Sequence, residues 1–270
     1  MPELPEVETV RSQLEPGLAG RTFARVEIFD GRLTRPEAPE EVAAELQGER
    51  VVAVRRRGKY LLVGFESGRT LLVHLRMTGG FTHPARPDSH RRAEVLLDDG
   101  TTLAYTDVRR FGTWLLLEPG ELDDYLRERI GVEPLESAFT TARFARALEG
   151  RRAPIKAALL DQKAVAGVGN IYADEALWRA RIHPLRPAGE LEPHEVAALR
   201  REIRRVLRLG IERQGATLRD YRGANGEGGR MQREFRVYGR GGDPCDRCGT
   251  PIARTRVAGR GTWFCPTCQV

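Results

Sequence analysis

CDRCGTPIARTRVAGRGTWFCPTC, residues 245–268, carries all four cysteines of a 270-residue chain. The spacing, two Cys-x2-Cys pairs sixteen residues apart, is that of a four-cysteine zinc ribbon. Two tight pairs offer four thiolates in tetrahedral array and leave no open coordination position, so the expected ion is structural and not catalytic. The competing reading is a pair of disulfides. The N-terminus lacks the basic and apolar regions of a secretory leader, so a reducing cytoplasm is the default expectation, and there this spacing favours zinc. Between the pairs, Arg254, Arg256 and Arg260 stud a predicted hairpin. A rigid basic hairpin suits a nucleic-acid groove or a phosphate backbone; a ribbon that docks on protein is the alternative.

The charge distribution bears on that choice. The net charge is +6 and the pI about 9.4. Residues 215–270 hold ten arginines against five acids, so most of the excess lies around the ribbon. Lysine occurs only at Lys59, Lys156 and Lys163, which makes each lysine informative. Charged residues make up 30% and hydrophobic ones 40%, the balance of a globular chain. No apolar run approaches the roughly 18 residues of a membrane span, so no membrane partner is expected.

Upstream, residues 215–234 contain five glycines and little apolar content and read as a loop. Helical periodicity covers 193–213, 170–180, 153–161 and 140–149, and GVEPLES (131–137) reads as a linker. Before it, strand-like runs cover 22–29, 51–56, 60–65, 70–75, 94–97, 103–106 and 113–117. Turn signals such as Ser67-Gly68 and Asp99-Gly100 separate them. A short helix is expected over 40–46 and another over 5–14, ended by Pro16-Gly17. Many short strands with regular turns predict an antiparallel sandwich, so the chain is expected to be a multi-domain α+β protein.

Four further stretches carry candidate chemistry. In KAVAGVGNIYADEALW (163–178), Gly167 and Gly169 flank a tight turn and Asn170 is a natural N-cap. A helix start of this kind, with Lys156 on the preceding helix, suits a phosphate; a plain helix–helix turn is the alternative. In HLRMTGG (74–80) and YTDVRRFG (105–112), Met77, Arg109 and Phe111 sit at strand ends. Met77 or Phe111 alone reads as core, but as a set with Arg109 they suit wedges in a duplex from which a base has been flipped. At the N-terminus, PELPEVE explains itself partly as a helix start, with Pro5 at the first position and Glu6 and Glu8 in the first turn. That leaves Pro2 and Glu3 unexplained.

PELPEVE, RRGKYLL (56–62), HLRMTG, YTDVRRFG, GVGNIYADE and the terminal ribbon, in this order, resemble bacterial formamidopyrimidine-DNA glycosylase over essentially the whole chain. The related endonuclease VIII typically has glycine where this chain has Leu4. The resemblance implies three domains: a catalytic β-sandwich with an N-terminal helix over 1–131; a helix–two-turn–helix DNA-binding domain over 132–234, including a lesion-capping loop at about 217–234; and the ribbon over 235–270. It implies a monomeric, cytoplasmic repair enzyme that acts on double-stranded DNA carrying oxidised purines or abasic sites and holds one zinc ion.

It also implies roles. Pro2, exposed as an amine once Met1 is removed, is the nucleophile. A chain-terminal amine titrates near ~8 and a lysine near ~10.4, so the terminus holds roughly a hundredfold more free base at neutral pH. Glu3 is the acid beside the sugar ring oxygen, Glu6 holds the N-terminus, and Lys59 is a proton donor and phosphate contact. Met77, Arg109 and Phe111 fill the duplex void, with Arg109 reading the orphan base. Lys156, Asn170 and Arg260 hold phosphates. Arg110 is a phosphate contact or surface charge. His90 is a DNA contact; after the HLRMTG turn the family pattern has a second histidine or two, where this chain has His90 and then Arg91-Arg92, a departure that bears on a phosphate contact. Cys245, Cys248, Cys265 and Cys268 hold the metal.

Overall fold

The computed structural model describes residues 1–270. They form two compact units: residues 1–128 with 213–230, and residues 129–212 with 231–270. No helix is long and apolar enough to cross a membrane.

The first unit begins with α1 (Leu4–Leu18), β1 (Phe23–Ile28) and α2 (Pro39–Leu46). Then follow β2 (Val51–Arg57), β3 (Tyr60–Phe65), β4 (Thr70–His74), β5 (Gly79–Thr82), β6 (Arg91–Leu97), β7 (Thr102–Asp107) and β8 (Thr113–Leu117), with α3 (Glu121–Arg129) closing the run. Two four-stranded antiparallel sheets, ordered β1-β6-β7-β5 and β2-β3-β4-β8, share one core. The inward rows are apolar: Phe23 and Val26 on β1, Val51 and Val54 on β2, Val95 and Leu97 on β6. On β3 the run Leu61, Leu62 and Val63 is buried, and Leu61 and Val63 face the shared core, to which α1 adds Val7, Val10, Leu14 and Leu18. Phe81, Tyr105 and Trp114 meet at centroid distances of 5.0–6.0 Å in the middle of the core.

The sandwich and its strands stand as the sequence predicts, with three differences. Helix α1 runs past Pro16 to Leu18. Leu14 and Leu18 are both fully buried, and burying such side chains is worth about 1.5–3 kcal/mol each, which offsets the helical hydrogen bond that proline removes. Strand β5 lies in a glycine-rich stretch with no strand periodicity and is held by pairing to β7, Gly79 opposite Asp107 and Phe81 opposite Tyr105. Helix α3 was hidden by its charge: of its nine residues only Leu126 is buried.

The second unit contains α4 (Thr141–Leu148), α5 (Ile155–Leu160), α6 (Asn170–Ala180) and α7 (Pro193–Glu212), then a hairpin of β9 (Ala253–Val257) and β10 (Arg260–Phe264). Thr140 caps α4 by accepting the Arg143 N–H. Helix α6 is buried on nearly every face, from Ile171 to Trp178. Its first turn differs from expectation. Gly169 is the N-cap and Asn170 the first helical residue, so the Asn170 side chain is free to reach elsewhere. The loop 213–230 belongs to the first unit and not to the helices that precede it.

Candidate functional site

In the first unit, the head of α1 is buried: Pro2 is buried, Glu3 is 3% exposed and Glu6 2%. Glu3 and Glu6 form a capping box. The Glu3 N–H donates to Glu6 Oε2 at 2.9 Å, which fixes the backbone that carries Pro2. The other Glu6 oxygen, Oε1, accepts the Ala216 N–H at 2.8 Å, and the Tyr221 hydroxyl donates to the Glu6 carbonyl at 3.2 Å. Gly215 is the close approach that permits this. Its φ is +79°, and a Cβ there would lie 2.7 Å from Glu6 Cγ. Met1 precedes Pro2 in this chain, so the Pro2 nitrogen is an amide until Met1 is removed.

Lys59 occupies the two-residue turn between β2 and β3, where Arg57 pairs with Tyr60. Gly58 takes φ +57° at the first turn position, as a tight hairpin turn of the II′ kind requires. Arg56 ties this turn to α1: its guanidinium donates to Glu8 at 2.9 Å and to the Gly58 carbonyl at 3.0 Å. Lys59 is only 6% exposed, and His74 on β4 is 9% exposed. Burial, with the positive charges of Arg76 and Lys59, pushes His74 down to about 3. It is therefore neutral at physiological pH, and its Nδ1 accepts the Arg76 N–H at 2.9 Å.

Met77, Arg109 and Phe111 lie on two loops of this same unit, stapled by Asp107. The buried Asp107 carboxylate accepts the Thr78 hydroxyl at 2.5 Å and the N–H groups of Arg109, Phe111 and Gly112 at 3.1, 2.9 and 2.7 Å. Thr78 Oγ1 also accepts the Arg109 N–H at 3.0 Å. Phe111, so held, is 52% exposed, with the Arg109 guanidinium 4.8 Å from its ring centroid. Gly79 and Gly112 are required by Tyr105, whose hydroxyl would lie 2.3 and 1.8 Å from a Cβ at those positions. Arg110 forks onto Asp30 at 2.5 and 2.7 Å, and that pairing holds the Asp30 carboxyl below its usual range. The His90 carbonyl accepts the Asp107 N–H at 3.0 Å.

In the second unit, Lys156 is wholly buried. Its ammonium donates to the Gly261 carbonyl at 3.0 Å and Thr262 Oγ1 at 2.8 Å and pairs with Asp174 at 2.7 Å. Asn170 donates to the same Gly261 carbonyl at 3.1 Å, and the Trp263 N–H reaches Asp174 at 3.1 Å. Burial pushes Asp174 up to about 7 against the pull of Lys156. Lys156 thus grips the hairpin and does not reach solvent. Arg260, exposed at the foot of β10, follows the turn Ala258-Gly259, both at positive φ. Glu175 clamps the approach to the ribbon, its Oε1 accepting the N–H groups of Arg236, Val237 and Tyr238 at 2.9–3.1 Å.

The four cysteine sulfurs lie within 4.8 Å of one another, with Cys248 and Cys265 Sγ 3.5 Å apart. All four cysteines are free, which excludes the disulfide reading. Zn–S bonds of about 2.3 Å imply sulfur separations of roughly 3.8 Å across a tetrahedron, so the donor set fits zinc. The ribbon holds one structural zinc ion, which staples the hairpin and supplies no chemistry.

Sequence reasoning passed over Asp107, Asp174, Glu175 and Arg56. Asp107 and the Asp174-Glu175 pair lie inside motifs already singled out, YTDVRRFG and GVGNIYADE. Their signal was a carboxylate with an apolar residue beside it, Val108, Ala173 or Ala176, where burial demands hydrogen-bond donors.

Comparison with known proteins places the chain. Three family models match: the formamidopyrimidine-DNA glycosylase N-terminal domain over residues 1–114, its H2TH domain over 130–222, and the zinc finger found in FPG and IleRS over 242–270. The formamidopyrimidine-DNA glycosylase of Herpetosiphon aurantiacus is 46% identical over the whole of both chains. That of Symbiobacterium thermophilum is 50% identical over 100% of this chain and 89% of its own. Among solved structures, the MutM (FPG) protein of Thermus thermophilus superposes with a TM-score of 0.90 at 46% identity, covering 99% of this chain and 98% of that one. A Lactococcus lactis FPG mutant in complex with a Fapy-dG containing DNA superposes at 0.93 with 38% identity, covering 99% of each. With a domain model matched at both ends and in the middle, this chain belongs to the formamidopyrimidine-DNA glycosylase family.

Proposed function

We propose that this chain is a bifunctional DNA glycosylase and abasic-site lyase of base excision repair, which removes oxidised purines from duplex DNA through an amine on Pro2. The observation that carries this is the buried head of α1, where a proline that becomes the chain terminus after loss of Met1 is held by the Glu3–Glu6–Ala216 network. The free Pro2 nitrogen attacks C1′ of the damaged nucleotide, and the base leaves with the electron pair of the C1′–N bond and a proton. Glu3 protonates the ring oxygen as the sugar opens, leaving an iminium between Pro2 and C1′. That positive charge acidifies the C2′ hydrogen, and loss of a proton there expels the 3′ phosphate; a second elimination expels the 5′ phosphate. Lys59, in its fixed turn, donates a proton to a departing phosphate.

Met77, Arg109 and Phe111 fill the gap left by the flipped nucleotide. Arg260 contacts phosphate directly, as does His90. Lys156 and Asn170 act by holding the Gly261 carbonyl, and so set the aim of the hairpin that carries Arg260. Arg110, engaged by Asp30, contributes positive charge near the backbone. The loop 213–230 closes over the lesion from its anchor on Glu6.

Borohydride reduction during reaction with a duplex carrying 8-oxoguanine opposite cytosine should trap a covalent adduct on the N-terminal peptide. Intact mass should show Met1 absent. Pro2→Gly should lose most of the trapping. An adduct mapped to a lysine, or none with any oxidised base, would overturn the assignment of Pro2; an adduct only with thymine glycol would move the substrate to oxidised pyrimidines.

A further inference from the structure

Helix α7 buries Val196, Leu199, Ile203, Val206 and Leu207 and exposes Arg201, Arg205 and Arg208, while Arg200 and Arg204 between them donate to the backbone carbonyls of Phe139, Pro134 and Glu136. With Arg179 from the end of α6 and Arg236, these arginines line a groove of about 760 Å³ whose only acids are Glu212 and Glu234. A solvated helix face normally intersperses its charges, with glutamate one turn from each arginine. Here the neighbours along the helix are of like sign, and of the groove's other arginines Arg236 pairs with Asp246 at 2.7 Å. Glu202 answers only partly, 3.4 Å from Arg201 and 3.8 Å from Arg205, whose side chains are 70% and 68% exposed. Burial and the charges of Arg208 and Arg200 pull Arg204 below its ordinary value. The Nε of Arg179 is buried with no hydrogen-bond partner.

The arrangement is linear. Residues 200, 204 and 208 form one row and 201 and 205 a second, with a guanidinium roughly every 6 Å along the axis. Apart from Thr141, Ala197 and Leu209 the wall is charged, so it lacks the apolar centre that a protein partner needs. The groove is also separate from the Asn170 region. Asn170 and Arg179 are nine residues apart on α6, about 14 Å along the helix.

We propose that the arginine groove of α7 binds the phosphate backbone of a second segment of duplex DNA, without regard to sequence, while the lesion-bearing duplex occupies the catalytic site. Such a grip lets the enzyme pass between segments without full release. The inference rests on the glycosylase reading for the first duplex only.

The test uses the zinc-loaded full chain saturated with a duplex containing a tetrahydrofuran abasic analogue. A fluorescent undamaged duplex is then added at about 50 mM salt and its anisotropy followed. The second duplex should bind, and a triple variant Arg201→Glu, Arg205→Glu, Arg208→Glu should bind it at least tenfold more weakly. The log–log salt slope should fall by about three, close to 0.9 for each lost phosphate contact. Cleavage of an 8-oxoguanine duplex should be unchanged. The triple glutamine variant, at the same positions, gives the same direction should the charge reversal fail to fold. No second duplex bound, or equal binding by the variants, overturns the proposal; tighter binding of polyglutamate than of duplex assigns the groove to an acidic protein instead. Failure to bind the tetrahydrofuran duplex would sink the glycosylase reading, and wild type against variants on undamaged duplex alone would still decide the groove.

Discussion

Glu6 shows how a single buried carboxylate can tie together two distant parts of the chain. Its two oxygens serve two different chain segments, the Glu3 N–H and the Ala216 N–H. Glutamine at this position has one acceptor and one donor, so one of those buried N–H groups would face an amide donor. An unsatisfied buried donor costs about 1–3 kcal/mol. Glu6→Gln should therefore trap roughly 10- to 100-fold less adduct in single-turnover borohydride assays while duplex affinity changes little. Gly215→Ala should do similar damage, since the new methyl at φ +79° meets Glu6. Unchanged trapping in both variants would remove Glu6 from the role proposed. His74 provides a pH test. Its folded value near 3 lies below the ordinary 6.5, so the unfolded chain takes up a proton first. The stability this contributes is complete above 6.5 and is lost as pH falls toward 3, at no more than about 1.4 kcal/mol per pH unit. His74→Asn keeps an acceptor for Arg76 but does not titrate. Denaturant melts between pH 6.5 and 4.5 should show a shallower loss in the variant, and parallel curves would refute the assignment.

At the scale of elements, what the sequence reveals and what it hides follow one rule. Strands with regular alternation, such as β6 with Ala93, Val95 and Leu97 buried, were legible because the core face repeats every second residue. Strand β5 was not, because Gly79 and Gly80 have no side chains to alternate; partners supplied by β7 make it a strand. The motifs HLRMTGG and YTDVRRFG were legible as a set of bulky residues at strand ends, but not the device that joins them. That device is Asp107, which gathers one hydroxyl and three N–H groups from two loops. Asp107→Asn keeps the size and loses one of the two acceptor oxygens, so the Arg109–Phe111 segment should loosen. Affinity for a lesion duplex should fall about tenfold or more, a thermal melt should shift by only a few degrees, and Phe111→Ala made on top should add little. Full additivity of the two substitutions would show that Asp107 does not act through Phe111. The same rule explains Lys156. Its rarity marked it for a role, but spacing gives no sign of burial, and the structure spends its charge on Asp174 and the hairpin.

Across the whole molecule, the order of elements in the chain was readable but their grouping was not. Residues 213–230 follow α7 in sequence yet belong with the first unit, because Glu6 and Gln13 on α1 receive their backbone N–H groups, and a pairing about 210 residues apart leaves no periodic trace. The ribbon is the opposite case, a unit fully announced by four cysteines but unable to hold itself. Its apolar cluster comprises Trp178, Val237, Ile252 and two of the metal ligands, Cys245 and Cys265. A segment this small needs its metal to fold. Removing zinc by chelation, or by Cys248→Ser, should therefore do more than free a hairpin. Loss of β10 takes the Gly261 and Thr262 acceptors from the Lys156 ammonium and leaves a buried lysine facing Asp174, whose own charge burial already opposes. Exchange protection should accordingly be lost not only over 245–268 but also in α5 and the first turn of α6, with Trp263 fluorescence shifting as its contact to Tyr238 opens. Duplex affinity should fall about a hundredfold, while strands β2 to β4, held by the separate sandwich core, keep their protection. If α5 and Asn170 stay protected after the metal leaves, the ribbon rests on the helices without supporting them, and Lys156 is a passive buried pair and not the support of the hairpin proposed to hold DNA.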